Sequence, residues 1–120
     1  MTLKLQRVGF YSDLPHGEAT EPRLVDSVGK LEAEDIEKIV LYLAAGAPFV
    51  VAPGLARDIL SESSGFAITL GVLTDGEWAW PTDLSYYVAT YTVGLPAVFV
   101  DHVRAHNYQI DEVDLHQLEL

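Results

Sequence analysis

An α+β fold is predicted for this sequence: a small, mostly antiparallel sheet with helices packed on one face. Three observations carry that prediction. Asp75-Gly76 separates two apolar runs, Ala67 to Leu73 and Glu77 to Trp80, and this pair tolerates the positive φ angles of a tight hairpin turn. Ile36, Ile39, Val40, Leu43 and Ala44 recur on one helical stripe, as do Leu95, Val98, Phe99, His102, Val103 and His106. Strand-like and helix-like segments are joined by short connections, so one layer of helices over one sheet is expected, in a single domain spanning 1–120.

Each element has its own cause. Thr2 to Tyr11 reads as a first strand, with Leu3 and Leu5 on one parity and Val8 and Phe10 on the other, so a bulge or burial on both faces is expected. Ser12 to Glu21, with Pro15, His16 and Gly17, reads as a surface loop, and Pro22 opens a short helix that Gly29 ends. At the start of the Ile36 helix, Glu32, Glu34 and Asp35 offset the helix dipole, Glu37 completes this acidic cluster, and Gly46 is expected to cap the far end. Phe49 to Val51 suits a buried strand. Pro53 then starts one or two helical turns through Leu60, and Ser61 to Gly65 is a loop. After the hairpin, Pro81 closes the strand and Thr82 caps a helix with Leu84, Tyr87, Val88 and Tyr91 on one face. Gly94 separates it from the last helix, which Asn107 ends, and the recurring apolar residues of Tyr108 to Leu120 indicate a tail that packs.

Composition limits the function. The chain has 120 residues, 49% of them hydrophobic, which is enough to bury a core, and its net charge is −11. Residues 1–60 hold six basic and nine acidic side chains, and residues 61–120 hold one and nine. A field of that sign repels nucleic acid and anionic lipid and draws in cationic partners. Cysteine is absent, which removes disulfides and thiolate chemistry. MTLKLQRVGF lacks the apolar stretch of a signal peptide, and the uncharged run Ile39 to Ala56 is broken by Gly46, Pro48, Pro53 and Gly54. A cytoplasmic protein without a membrane span is expected.

Several residues invite chemistry. His102 and His106 share one helical face at a metal-binding spacing, and Asp114 is the candidate third ligand. No glutamate follows His102 to act as a protease base, and Arg104 adds positive charge, so the pair reads as boundary histidines and no cofactor is expected. His16 and Glu18 form half of a deaminase-like pattern whose cysteines are absent. Ser61, Ser63 and Ser64 lack the strand-to-helix elbow of a hydrolase nucleophile.

The segment Asp75 to Tyr91 gathers both tryptophans and three of the six tyrosines. Trp78, Trp80 and Tyr86 beside Asp75, Glu77 and Asp83 would form an aromatic patch ringed by carboxylates, suited to a basic protein partner. The leading expectation is therefore a non-enzymatic acidic binding protein. The alternatives are a small hydrolase or metal-dependent enzyme using His102 and His106, and a structural homodimer subunit that hides the aromatic segment.

Residues 74–108, TDGEWAWPTDLSYYVATYTVGLPAVFVDHVRAHNY, resemble the carboxy-terminal part of small uncharacterised bacterial proteins, chiefly actinobacterial. These share a DGxWxWPxDLxYYV core followed by LPxxFxxH. In size, acidity and tryptophan-rich hairpin-plus-helix character the chain is also similar to the immunity proteins that neutralise bacterial toxins. The resemblance implies an accessory or inhibitory binding protein, immunity- or antitoxin-like, and carries no functional residue over.

Overall fold

The hairpin around Asp75-Gly76 organises the molecule. The computed structural model describes residues 3–14, 17–61 and 67–120. Strands β1 (Leu3–Lys4) and β2 (Gln6–Arg7) are followed by helices α1 (Leu24–Ser27) and α2 (Ile36–Ala44) and strands β3 (Ala47–Arg57), β4 (Ala67–Thr74) and β5 (Trp78–Pro81). Helices α3 (Leu84–Tyr91) and α4 (Ala97–Ala105) come next, then a 3-10 turn, Leu115–Gln117, and β6 (Leu118–Glu119). The fold is α+β. Gly76 has φ +100°, as the hairpin turn requires, and Leu73 faces Trp80 across the β4–β5 ladder.

The main sheet runs β2-β5-β4-β3 and is mixed rather than purely antiparallel, because β2 lies parallel to β5, while β1 pairs in parallel with β6. The change of parity in the first strand has its cause here. Leu5 N–H donates to Glu119 O, and Gln6 N–H donates to Glu77 O, so the chain passes from one sheet to the other at buried Leu5. The tail packs through that same pairing.

Several expectations need correction. Pro53 starts no helical turns: β3 continues to Arg57, with register shifts between Pro48 and Val50 and between Val51 and Leu55. Proline cannot donate to a ladder and is tolerated on an edge strand, which is where β3 lies. Gly46 is not a left-handed cap either. A Cβ there would come within 2.8 Å of Leu73 Cβ and of the Trp80 ring, so glycine is needed for close approach. Helix α3 ends at Thr92, which takes the left-handed conformation ahead of Gly94, and α4 ends as expected at left-handed Asn107, whose N–H donates to Arg104 O while Tyr108 N–H donates to Val103 O. Asp83, not Thr82, stands at the N-cap of α3. His16 and most of the Ser61 to Gly65 loop lie outside the described residues.

The core joins β5 to the helices. Trp80 is fully buried between Tyr42 of α2 and Phe99 of α4, with ring centroids 5.9 and 5.8 Å away, and its indole N–H donates to Leu43 O at 2.9 Å. Trp78 meets Phe99 edge-on at 5.1 Å. No helix among the described residues is long and apolar enough to cross a membrane.

All six tyrosines are held above the ordinary phenol value of 10.0. Burial is the first cause for Tyr11, Tyr42 and Tyr87, the last pushed up to about 12. A hydrogen bond to a carboxylate is the first cause for Tyr86 and Tyr91, through Asp58, and for Tyr108, through Asp35. A raised folded value means that the contribution to stability is complete below about pH 10 and is lost as pH climbs from there through the folded values. In an alkaline titration, tyrosinate absorbance is therefore expected to lag behind free tyrosine and to rise together with loss of near-ultraviolet circular dichroism. Tyrosines that ionise near pH 10 in an intact fold would contradict this.

Candidate functional site

The hairpin turn and α4 converge on a cluster of acids and imidazoles. Asp75 begins the turn and uses Oδ1 to accept from the backbone N–H of Glu77 at 2.9 Å and of Trp78 at 2.7 Å. Its Oδ2 accepts from Tyr42 OH at 2.5 Å and stands 2.7 Å from His102 Nε2. Four contacts therefore fix a carboxylate whose side chain is 2% exposed. On its other edge His102 places Nδ1 3.1 Å from Glu77 Oε2. His106 lies one helical turn later, its ring 4.3 Å from that of His102, with Nδ1 2.8 Å from His102 O. These groups line a cavity of about 220 Å³ together with Gly76, Gln109, Ile110 and Asp111.

The cluster departs from the sequence expectation at one position. Asp114 is not the third member: its side chain accepts from His116 N–H at 3.1 Å in the tail. Among the described residues, the acid brought to the two histidines is Glu77. Arg104, which lies between the histidines in sequence, forks onto Asp35 with both bonds at 2.8 Å, and Tyr108 OH donates to the same carboxylate. The guanidinium holds the Asp35 carboxyl well below the usual carboxylate range. Its charge is therefore partnered on the α2 side.

The expected aromatic patch is also corrected. Trp80 is 0% exposed, Trp78 6% and Asp83 4%, so none of them presents a face to a partner. The small domain spends its largest rings on the core because they bury the most apolar area per residue. Asp75 serves the turn and His102. Of the six residues expected at the partner surface, Glu77 is exposed and Tyr86 half-buried. Tyr86 OH is committed to buried Asp58 at 2.6 Å, beside Tyr91 OH at 2.5 Å.

The exposed apolar residues lie elsewhere, and β3 carries the densest group. Within the described residues β3 pairs on one side only, with β4. Val51 is 77% and Leu55 64% exposed, Val50 is exposed beside them, and Arg57 is the one charged residue of the strand. The periodicity of 49–51 signals a strand but cannot tell a buried one from an edge. The two prolines were the available signal. No family model matches the chain, and no curated protein or solved structure matches it either.

Proposed function

We propose that this chain is a non-enzymatic acidic binding protein, of the immunity or antitoxin kind, that masks a basic protein partner. The observation that carries the reading is the long edge of β3, unpaired among the described residues and lined by Val50, Val51 and Leu55. Such an edge offers backbone donors and acceptors to an incoming strand, and its apolar side chains supply contact area. Charge selects the partner. From Asp101 onward the exposed ionisable side chains other than histidine are Asp101, Arg104, Asp111, Glu112, Asp114 and Glu119, in a chain of net charge −11. A cationic partner is attracted over a distance set by ionic strength, and the apolar edge then holds it. On this reading the contact lies on β3 rather than on buried Trp78, Trp80 and Asp83.

Capture from a lysate of the native host, with elution by salt, supplies the partner for the test. Val51→Lys puts a charge on the open edge and leaves the core untouched. The expected result is association that weakens steeply with salt and falls at least about tenfold in the variant, with an unchanged melting temperature. Equal binding by the variant, or binding indifferent to salt, refutes the reading. If light scattering instead finds a dimer of the parent that the variant dissociates, the edge serves a second copy of the chain.

A further inference from the structure

We propose that Glu77, His102 and His106 bind one transition-metal cation of the zinc class, at a site independent of the β3 edge. One ligand atom from each of the three lies within 4.8 Å of the others. Ligands at about 2.0–2.1 Å around a tetrahedral centre stand roughly 3.3 Å apart, and His102 Nδ1 already stands 3.1 Å from Glu77 Oε2. A nitrogen lone pair and a carboxylate oxygen approach that closely only with a positive centre, a proton or a metal ion, between them.

The hydrogen bonds around the cluster select the ligand atoms. A carbonyl can only accept, so the contact of His106 Nδ1 with His102 O makes Nδ1 the donor and leaves Nε2 with its lone pair. On His102 the buried Asp75 carboxylate accepts from Nε2–H, which leaves Nδ1 as the coordinating atom. This is the carboxylate–histidine–metal relay, in which an outer acid fixes the tautomer and ring orientation of a ligand. Asp75 is itself immobilised by Tyr42 OH and by the Glu77 and Trp78 N–H groups. The two histidines sit four residues apart at the end of α4, and the Glu77 side chain is exposed beside His102, so the site closes without moving the core.

Donor chemistry sets the metal class. Two imidazoles with one carboxylate favour Zn²⁺, and Co²⁺ as its spectroscopic substitute, over Mg²⁺ or Ca²⁺, which require oxygen ligands. Three protein ligands leave a position for water or a small ligand in the cavity that Gln109 and Asp111 also line.

The test uses the tag-free full chain, stripped with chelator and titrated with Zn²⁺ by calorimetry and with Co²⁺ by visible absorption. One equivalent is expected to bind, to give tetrahedral Co²⁺ bands and to raise the melting temperature. His106→Gln and Glu77→Gln alter exposed side chains, so the metal-free variants are expected to melt like the parent while binding at least about tenfold more weakly. Asp114→Asn and His116→Gln are expected to bind like the parent. Absence of binding by the parent overturns the proposal. So does binding that survives both His106→Gln and Glu77→Gln, or that is lost in His116→Gln, since each would mark an unrelated surface histidine.

Discussion

Trp80→Ala is expected to lose about 3–5 kcal/mol of stability, the range for emptying a fully buried large aromatic site. Three elements meet on this indole. Tyr42 brings α2 to it and Phe99 brings α4, and the ring N–H satisfies the Leu43 carbonyl in the last turn of α2. Alanine removes the packing and leaves that carbonyl without its donor, and the two costs act in the same direction. Gly46 narrows the scope for relief. The backbone packs against the indole closely enough that a Cβ would clash, so the α2–β3 connection was built around the ring and cannot collapse far into its space. For a domain with total stability of about 5–15 kcal/mol, the loss leaves a marginal fold. Urea denaturation should show a much lower midpoint with an unchanged slope. A loss under about 1 kcal/mol would mean that Trp80 is not the piece joining the sheet to its helices. Trp80→Phe, which keeps much of the volume and forfeits the hydrogen bond, should fall between the two.

What could be read from the sequence divides along the distance over which the cause acts. The Asp75-Gly76 hairpin, the Ile36 stripe and the stripe ending in His102 and His106 are local patterns, and the structure contains each. The parallel pairing of β2 with β5 and of β1 with β6 depends on partners about 70 and 115 residues away, which no periodicity encodes. The mixed sheet was invisible for that reason. Pro53 and Gly46 were misread because each residue has two physical uses: proline starts helices and also sits on edge strands, and glycine caps helices and also admits a neighbouring ring. The acid–imidazole cluster was half legible. Spacing of four put His102 and His106 on one face, but the acids that complete the cluster come from a turn 27 residues earlier, and Asp114, nearer in sequence, points to its own tail. The aromatic segment was legible as a cluster and not as a surface. Burial is decided by what covers a residue, and α2 and α4 cover these rings.

The second large effect belongs to the turn. Asp75→Ala removes a carboxylate that accepts from two backbone N–H groups, from Tyr42 OH and from His102, all from a position almost closed to solvent. Hydrogen bonds to a charged group contribute about 1.5–3 kcal/mol each in net terms, and donors stranded in a buried site add their own desolvation cost. They do not sum independently, because the same atom serves several donors. A total of about 3–5 kcal/mol is expected, close to that for breaking a buried charged network. Asp75→Asn separates the two jobs of the side chain. Its amide oxygen can still accept from Glu77 and Trp78 and keep the turn, but its NH2 cannot accept from Tyr42 or His102, so an intermediate loss is expected. Tyr42→Phe removes one of those donors alone and should cost about 1–2 kcal/mol. In the double variant Tyr42→Phe with Asp75→Asn, the losses should be clearly less than additive, with a coupling of about 0.5–3 kcal/mol measured by urea denaturation. Full additivity would mean that the Tyr42–Asp75 contact contributes nothing of its own. The anchoring of α2 to the hairpin would then rest on the Trp80 packing, and the cost of Asp75→Asn would come from its lost contact with His102.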